Sequence, residues 1–234
     1  MESVSYDQLW QTTWGDLQQH GPVHRHLLRQ LIRIVWPLSV RTVLDVGCGS
    51  GEHLSALAAL GKYDLTGMDV SPVALELAKR KVPSARLVQL DIERDHLSEQ
   101  FDLVMSLQVV EHLMDDVAAL RHMAHMTRSY ALISTLLGRM RPSERAIGHV
   151  RNYSTDELRR KLKSAGLEVL TITGWGFPLY SPIYRSLTEH LPGGPPTGPM
   201  GPLSRLAAWM LYYLYWLNWP GRGDVVSVLA RPMA

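Results

Sequence analysis

Apolar positions recur at two spacings along the chain. The amino-terminal part follows the helical one: Tyr6, Trp10, Trp14 and Leu17 fall on one side of a helix predicted over Ser5–Gln19. His20-Gly21-Pro22 interrupts it. Pro22 suits the first turn of a second helix, His24–Val35, because that position needs no backbone donor, and Trp36-Pro37 ends it. Beyond this point short runs of β-branched residues and leucine alternate with helical patterns. The runs Thr42–Val46, Leu65–Val70, Ala85–Ile92, Phe101–Val109, Tyr130–Leu136, Leu167–Thr173 and Asp224–Ala230 read as buried strands. Between them His53–Leu60, a Ser71-Pro72 start running to Lys81, Asp115–Met126 and a Ser154 start running to Ala165 read as helices.

Strands separated by single helices pair in parallel through right-handed crossovers. The last two strands have no such helix between them. An insertion, residues 176–223, stands there instead. It opens with Phe177, Pro178, Leu179 and Tyr180, passes through a Pro/Gly stretch, Pro192–Pro202, and ends in the apolar segment Leu206–Trp219. The pattern divides the chain into a helical cap, 1–37, and an α/β domain, 38–234.

Composition narrows the classes. The 234 residues carry a formal net charge of +2, and the basic residues are scattered, so no nucleic-acid face is expected. Cys48 is the single cysteine, which excludes an intrachain disulfide and suits a reducing compartment. Residues 1–20 are polar and aromatic without the apolar run of a secretory leader, so the reading is cytoplasmic, with peripheral membrane contact open.

The chemistry starts at Val43–His53, VLDVGCGSGEH, where Gly47, Gly49 and Gly51 follow a strand and lead into a helix. Ligands of parallel sheets bind at the carboxyl ends of strands, and glycines let the backbone approach them. A dinucleotide fingerprint would place glycine at position 52, where Glu52 stands, so NAD is disfavoured. Asp69 ends the second strand, where a carboxylate accepts hydrogen bonds from ribose hydroxyls. Asp91 ends the third, where one can meet an adenine amine while Ile92 covers the ring. The three strand ends together describe a nucleoside.

Taken in order, VLDVGCGSG, GMDVSP, LDIE, FDLVMSLQVVEHLMD and HVRNYSTDELRRKLKSAGLEV resemble the class I S-adenosylmethionine-dependent methyltransferases, in the broad group that includes the ubiquinone-biosynthesis enzymes. The resemblance covers Thr42 to Gly176. It implies a Rossmann-like α/β fold: a seven-stranded, mostly parallel sheet with a reversed last strand and helices on both faces. It implies S-adenosylmethionine as cofactor and S-adenosylhomocysteine as product. Asp45, Gly47, Cys48, Gly49 and Gly51 would surround the methionine part, with Arg25 toward its carboxylate. Asp69 and Val70 would hold the ribose and flank the adenine, Asp91 and Ile92 would meet the adenine, and Gln108 would lie near the methyl group.

An oxygen or nitrogen acceptor can require a base. His112 follows the fourth strand and His149 lies in a loop that borders the substrate in this family; each is a candidate, against a packing role for either. Tyr6, Trp10, Tyr153, Phe177 and Tyr180 are candidate substrate contacts. His122 and His125 share a helix face without an evident third ligand, so no metal is expected. Leu206–Trp219 is apolar on every face yet, at about 14 residues, shorter than the ~20 of a bilayer span. It reads as a lid over an apolar substrate, a homodimer contact or a membrane-surface foot through 203–219. The function implied is methyl transfer to a small or lipid-like acceptor, most simply at oxygen, with nitrogen or carbon open. The alternatives are cyclisation or cleavage on the same cofactor and a non-catalytic partner subunit.

Overall fold

The computed structural model describes Asp7, Trp10, Trp14–Glu189 and Met200–Met233. Seven strands form one sheet: β1 (Thr42–Val46), β2 (Asp64–Asp69), β3 (Arg86–Gln89), β4 (Phe101–Leu107), β5 (Thr127–Leu136), β6 (Leu167–Trp175) and β7 (Val225–Pro232), in the order β3-β2-β1-β4-β5-β7-β6. The first five pair in parallel, and β7 runs antiparallel to both β5 and β6. The reversed last strand is therefore slotted between β5 and β6. The third strand is shorter than the apolar run suggests, which leaves Asp91 and Ile92 in the turn beyond it.

The described helices are α1 (Gly15–His20), α2 (Pro22–Val35), α3 (Glu52–Ala58), α4 (Pro72–Lys81), α5 (Asp116–Met126), α6 (Pro142–Ala146), α7 (Thr155–Ser164), α8 (Arg185–Glu189) and α9 (Pro202–Leu214). Their starts follow local chemistry: Ser71, Asp115 and Ser154 each accept a hydrogen bond from a backbone N–H in the first turn. The short α6 and α8 have no counterpart in the sequence pattern, being too brief to show a period.

Successive residues of a strand point to opposite faces. Leu44, Val46 and Val104 enter a core built with Leu120, Met123, Leu158 and Leu162 of α5 and α7. Val43, Leu103 and Met105 enter the other, with Leu31 and Val35 of α2 and Leu54 and Leu57 of α3. So α2 of the amino-terminal cap shares a core with the sheet. Strand order reverses between β1 and β4, and a cleft opens beyond their carboxyl ends, as expected of a doubly wound sheet. Among the described residues no helix is long and apolar enough to cross a membrane.

Candidate active site

A cavity of about 480 Å³ lies at this strand-order reversal. Its floor comes from strand ends: Gly47 and Cys48 after β1, Asp69 and Val70 at β2, Asp91 and Ile92 after β3, Gln108 after β4. Trp10, Trp14 and His24 roof it. His112, Glu144, His149, Tyr180 and Arg185 form its far wall.

The glycine loop is built for close approach. Gly47 has φ +72°, and a Cβ there would lie 2.5 Å from Val109 Cγ2. Gly49 has φ +53°, and its Cβ would meet the Trp10 ring at 2.3 Å. The indole thus lies flush on the loop, and Trp10 in turn contacts Trp14 edge-on, with ring centroids 5.0 Å apart. Gly51 does a different job. It caps α3 and lets Ala78 of α4 come close, away from the cavity wall.

Asp69 is held from behind. The N–H groups of Gly49 and Ser71 each donate to its carboxylate at 2.9 Å, while burial pushes its carboxyl above the usual range. Asp91 is braced by Glu93 N–H at 3.0 Å and by Arg94 at 3.1 Å. A carboxylate offers about four acceptor sites, so both acids retain capacity toward the cavity. Asp45 is fully buried with neither oxygen hydrogen-bonded, and its nearest cation-forming neighbour is His53, 3.7 Å away. Gln108 is the only described non-glycine residue with positive φ, +61°. Such a conformation costs about 1–2 kcal/mol and is retained where the surroundings fix it. Here Ser134 does so, accepting from the Gln108 N–H at 2.8 Å and from its Nε2 at 3.3 Å.

The far wall gathers residues distant in sequence. The carbonyl of Glu111 accepts from Val150 N–H at 2.9 Å, which brings the loop carrying His149 against the turn carrying His112. Their imidazoles then stack edge to face, with centroids 4.5 Å apart. Burial lowers both basicities, that of His112 to about 3, so both are neutral near pH 7. Glu144 and Asn152 partly restore the basicity of His149, and its Nδ1 is buried without a hydrogen bond. Beneath them burial raises Glu111 to about 7, and its Oε2 accepts from Thr135 at 2.8 Å. Glu144 is ion-paired to Arg185, which also binds Asp224.

Several expected contacts lie elsewhere. Arg25 turns away from the cavity, its guanidinium 3.7 Å above the Tyr212 ring. Tyr153 is a core residue, not a substrate contact: its hydroxyl donates to Asp116 at 2.7 Å and lies 3.0 Å from the Val110 carbonyl. Phe177 packs on Trp219 outside the cavity. Tyr6 lies outside the described residues. The lid reading of Leu206–Trp219 is also corrected, since α9 packs on α2 and supplies no residue to the cavity wall. Among the described residues of the insertion, only Tyr180, Tyr184, Arg185 and Thr188 reach it. Glu111, His112 and His149 bring three metal-ligating atoms within 4.8 Å of one another, a set able to hold a divalent ion. The sequence pattern hid it because His149 is far from the other two along the chain. Glu144 and Arg185 escaped notice for the same reason.

A family model described as a methyltransferase domain matches residues 43–129. A ubiquinone biosynthesis O-methyltransferase of Nitrosomonas europaea is 28% identical over 147 residues, 58% of this chain and 62% of the relative, so the match spans less than two thirds of that protein. The corresponding protein of Thiobacillus denitrificans is 24% identical over 212 residues, 79% of this chain and 90% of the relative. Among solved structures, the N-methyltransferase NodS of Bradyrhizobium japonicum, in complex with S-adenosyl-L-homocysteine, superposes with a TM-score of 0.64 at 16% identity, covering 97% of each chain. At that identity the likeness speaks for the fold. The matched segment, the sheet order and the strand-end site agree: residues 43–129 are similar to a methyltransferase domain, and the fold is that of solved S-adenosylmethionine-dependent methyltransferases.

Proposed function

We propose that this chain transfers a methyl group to a hydroxyl oxygen of a bulky, largely apolar acceptor. One observation carries the reading: the neutral pair His112 and His149 opens onto the same cavity as the glycine loop, Asp69 and Asp91.

The cofactor end fits the adenosyl sulfonium that the family uses. Side chains at 47 and 49 would fill the loop, and the two unsatisfied oxygens of Asp45 behind it favour a cation in front of them. Asp69 and Asp91 would hold the ribose and adenine, between the apolar Val70 and Ile92. When bound, the cofactor supplies an electrophilic methyl group. The chain's own task is to bring an acceptor into line, exclude water and take up a proton.

His149 is the better base of the pair. Its ring lines the cavity and can take up the hydroxyl proton, and Glu144 stabilises the imidazolium that results. His112 is the weaker base and is read as the residue that fixes the ring plane of His149. Trp14, Leu136, Tyr180 and Tyr184 give the acceptor end its apolar character. The relatives named O-methyltransferases agree with oxygen as the acceptor atom. An apolar acceptor of this kind resides in lipid, and the exposed aromatic face of α9 supports work at a membrane periphery.

Calorimetry with S-adenosylhomocysteine, with NAD as control, tests the cofactor half: heat with the first alone is expected. Incubation with S-adenosylmethionine and a panel of apolar phenols and alcohols, read by mass spectrometry, tests the other half. Methyl ethers are expected. Cofactor cleavage without a methylated product would replace the transfer reading.

A further inference from the structure

We propose that the outward face of α9, with the arginines beside it, docks on an anionic lipid bilayer. This gives the peripheral placement above its chemistry, and rests on that placement rather than on any particular acceptor.

The helix has two apolar sides. Ala208 and Tyr212, with Tyr215 just beyond, face inward. Leu203, Leu206, Trp209, Met210 and Tyr213 face outward and are 51–83% exposed. At ~100° per residue these five fall on one continuous side. A helix side that meets only water is normally polar, and a contiguous exposed apolar patch marks a contact surface.

Charge identifies the partner. No Asp or Glu occurs from Leu17 to Leu44 or from His190 to Gly223, so both segments are purely basic. Two of their cations border the apolar face. Arg29 lies 3.3 Å from the centroid of the exposed Trp216 ring, and Arg222 lies 5.5 Å from that of the exposed Trp219. Apolar side chains below, aromatic rings at the boundary and guanidiniums beside them match the layers of a bilayer surface: acyl chains, headgroup region, phosphate. A symmetric pairing through this face would bring the arginines of two copies together with no carboxylate among them. The 13 residues of α9 span about 20 Å, less than the ~30 Å hydrocarbon core, so the helix lies in the surface plane.

The test is flotation of the full chain with phosphatidylcholine vesicles, with and without phosphatidylglycerol. Flotation with the anionic vesicles only, falling as salt rises, is expected. The exposed pairs Leu206→Glu/Met210→Glu and Arg29→Glu/Arg222→Glu should each lower it about tenfold or more, the first by removing apolar insertion and the second by reversing the basic charge. Both should keep the wild-type thermal shift with S-adenosylhomocysteine, which shows they are folded. Wild type remaining at the bottom of the gradient would overturn the proposal, as would variants that float like wild type. So would a dimer split by Leu206→Glu/Met210→Glu with flotation unchanged, which would assign the face to a second copy. A chain that floats but shows no shift with S-adenosylhomocysteine supports the docking face and counts against the methyltransferase activity alone.

Discussion

The imidazoles of His112 and His149 meet edge to face at 4.5 Å although 37 positions separate them, and the bond from Val150 N–H to the Glu111 carbonyl makes that meeting possible. The contact makes each ring the wall of the other's site. It also places Glu144 where its charge acts on His149.

Removing the two rings should have unequal effects. His149→Ala is expected to lower kcat about 10²–10⁴-fold, the range for loss of a general base, with S-adenosylhomocysteine affinity unchanged. His112→Ala should cost less in kcat and move the pH profile of the remaining reaction, because the partner ring is freed to turn. Steady-state kinetics across pH with calorimetry beside it decides the matter. An equal loss in both variants would remove the assignment of roles.

Glu111 should make the fold sensitive to alkali. Its folded value, about 7, stands above the ordinary 4.5, so the native state holds the proton longer than the unfolded chain. Its contribution is complete below pH 4.5 and is lost as pH rises to about 7, amounting to about 3 kcal/mol. The lowered basicities of His24, to about 4, and His112, to about 3, act oppositely: their stability is present above pH 6.5 and lost as pH falls. The difference between wild type and Glu111→Gln isolates the carboxyl. Urea unfolding should show the variant gaining on wild type between pH 5 and pH 8; parallel curves would refute the burial argument.

Gly49 and Trp10 should be coupled. Gly49→Ala places a methyl group 2.3 Å from the indole at positive φ. The φ costs about 1–2 kcal/mol by itself, and the clash adds to it. In a Trp10→Ala background only the first part remains. A double-mutant cycle in urea should therefore give a coupling of about 0.5 kcal/mol or more. Strict additivity would mean that the indole does not rest on the loop.

Tyr153→Phe should destabilise without touching the reaction. It strips a buried hydroxyl from Asp116 and from the Val110 carbonyl, at about 1–3 kcal/mol. Unfolding should register the loss, while kcat/KM, measured below the unfolding transition, stays at the wild-type value. A raised KM with unchanged stability would restore the substrate role.

The sequence by itself determined the layered α/β plan and the strand-end floor of the cavity, because both rest on local patterns. Strand runs and helix caps at Ser71, Asp115 and Ser154 are short-range chemistry. Gly47, Asp69 and Asp91 come to one cleft as soon as three successive strands pair in parallel. Only the tertiary structure decided the far wall. Arg25 carries the right charge for a carboxylate, yet α9 offers its guanidinium an aromatic face closer by. Tyr153 sits in the expected loop, yet Asp116 draws its hydroxyl into the core. Glu144 finds Arg185, Glu111 finds Thr135, and His112 finds His149 through contacts whose sequence separation no period or spacing encodes. Local propensity is written in neighbouring residues; the pairing of buried charges and rings depends on which surfaces the finished sheet and its insertion bring face to face.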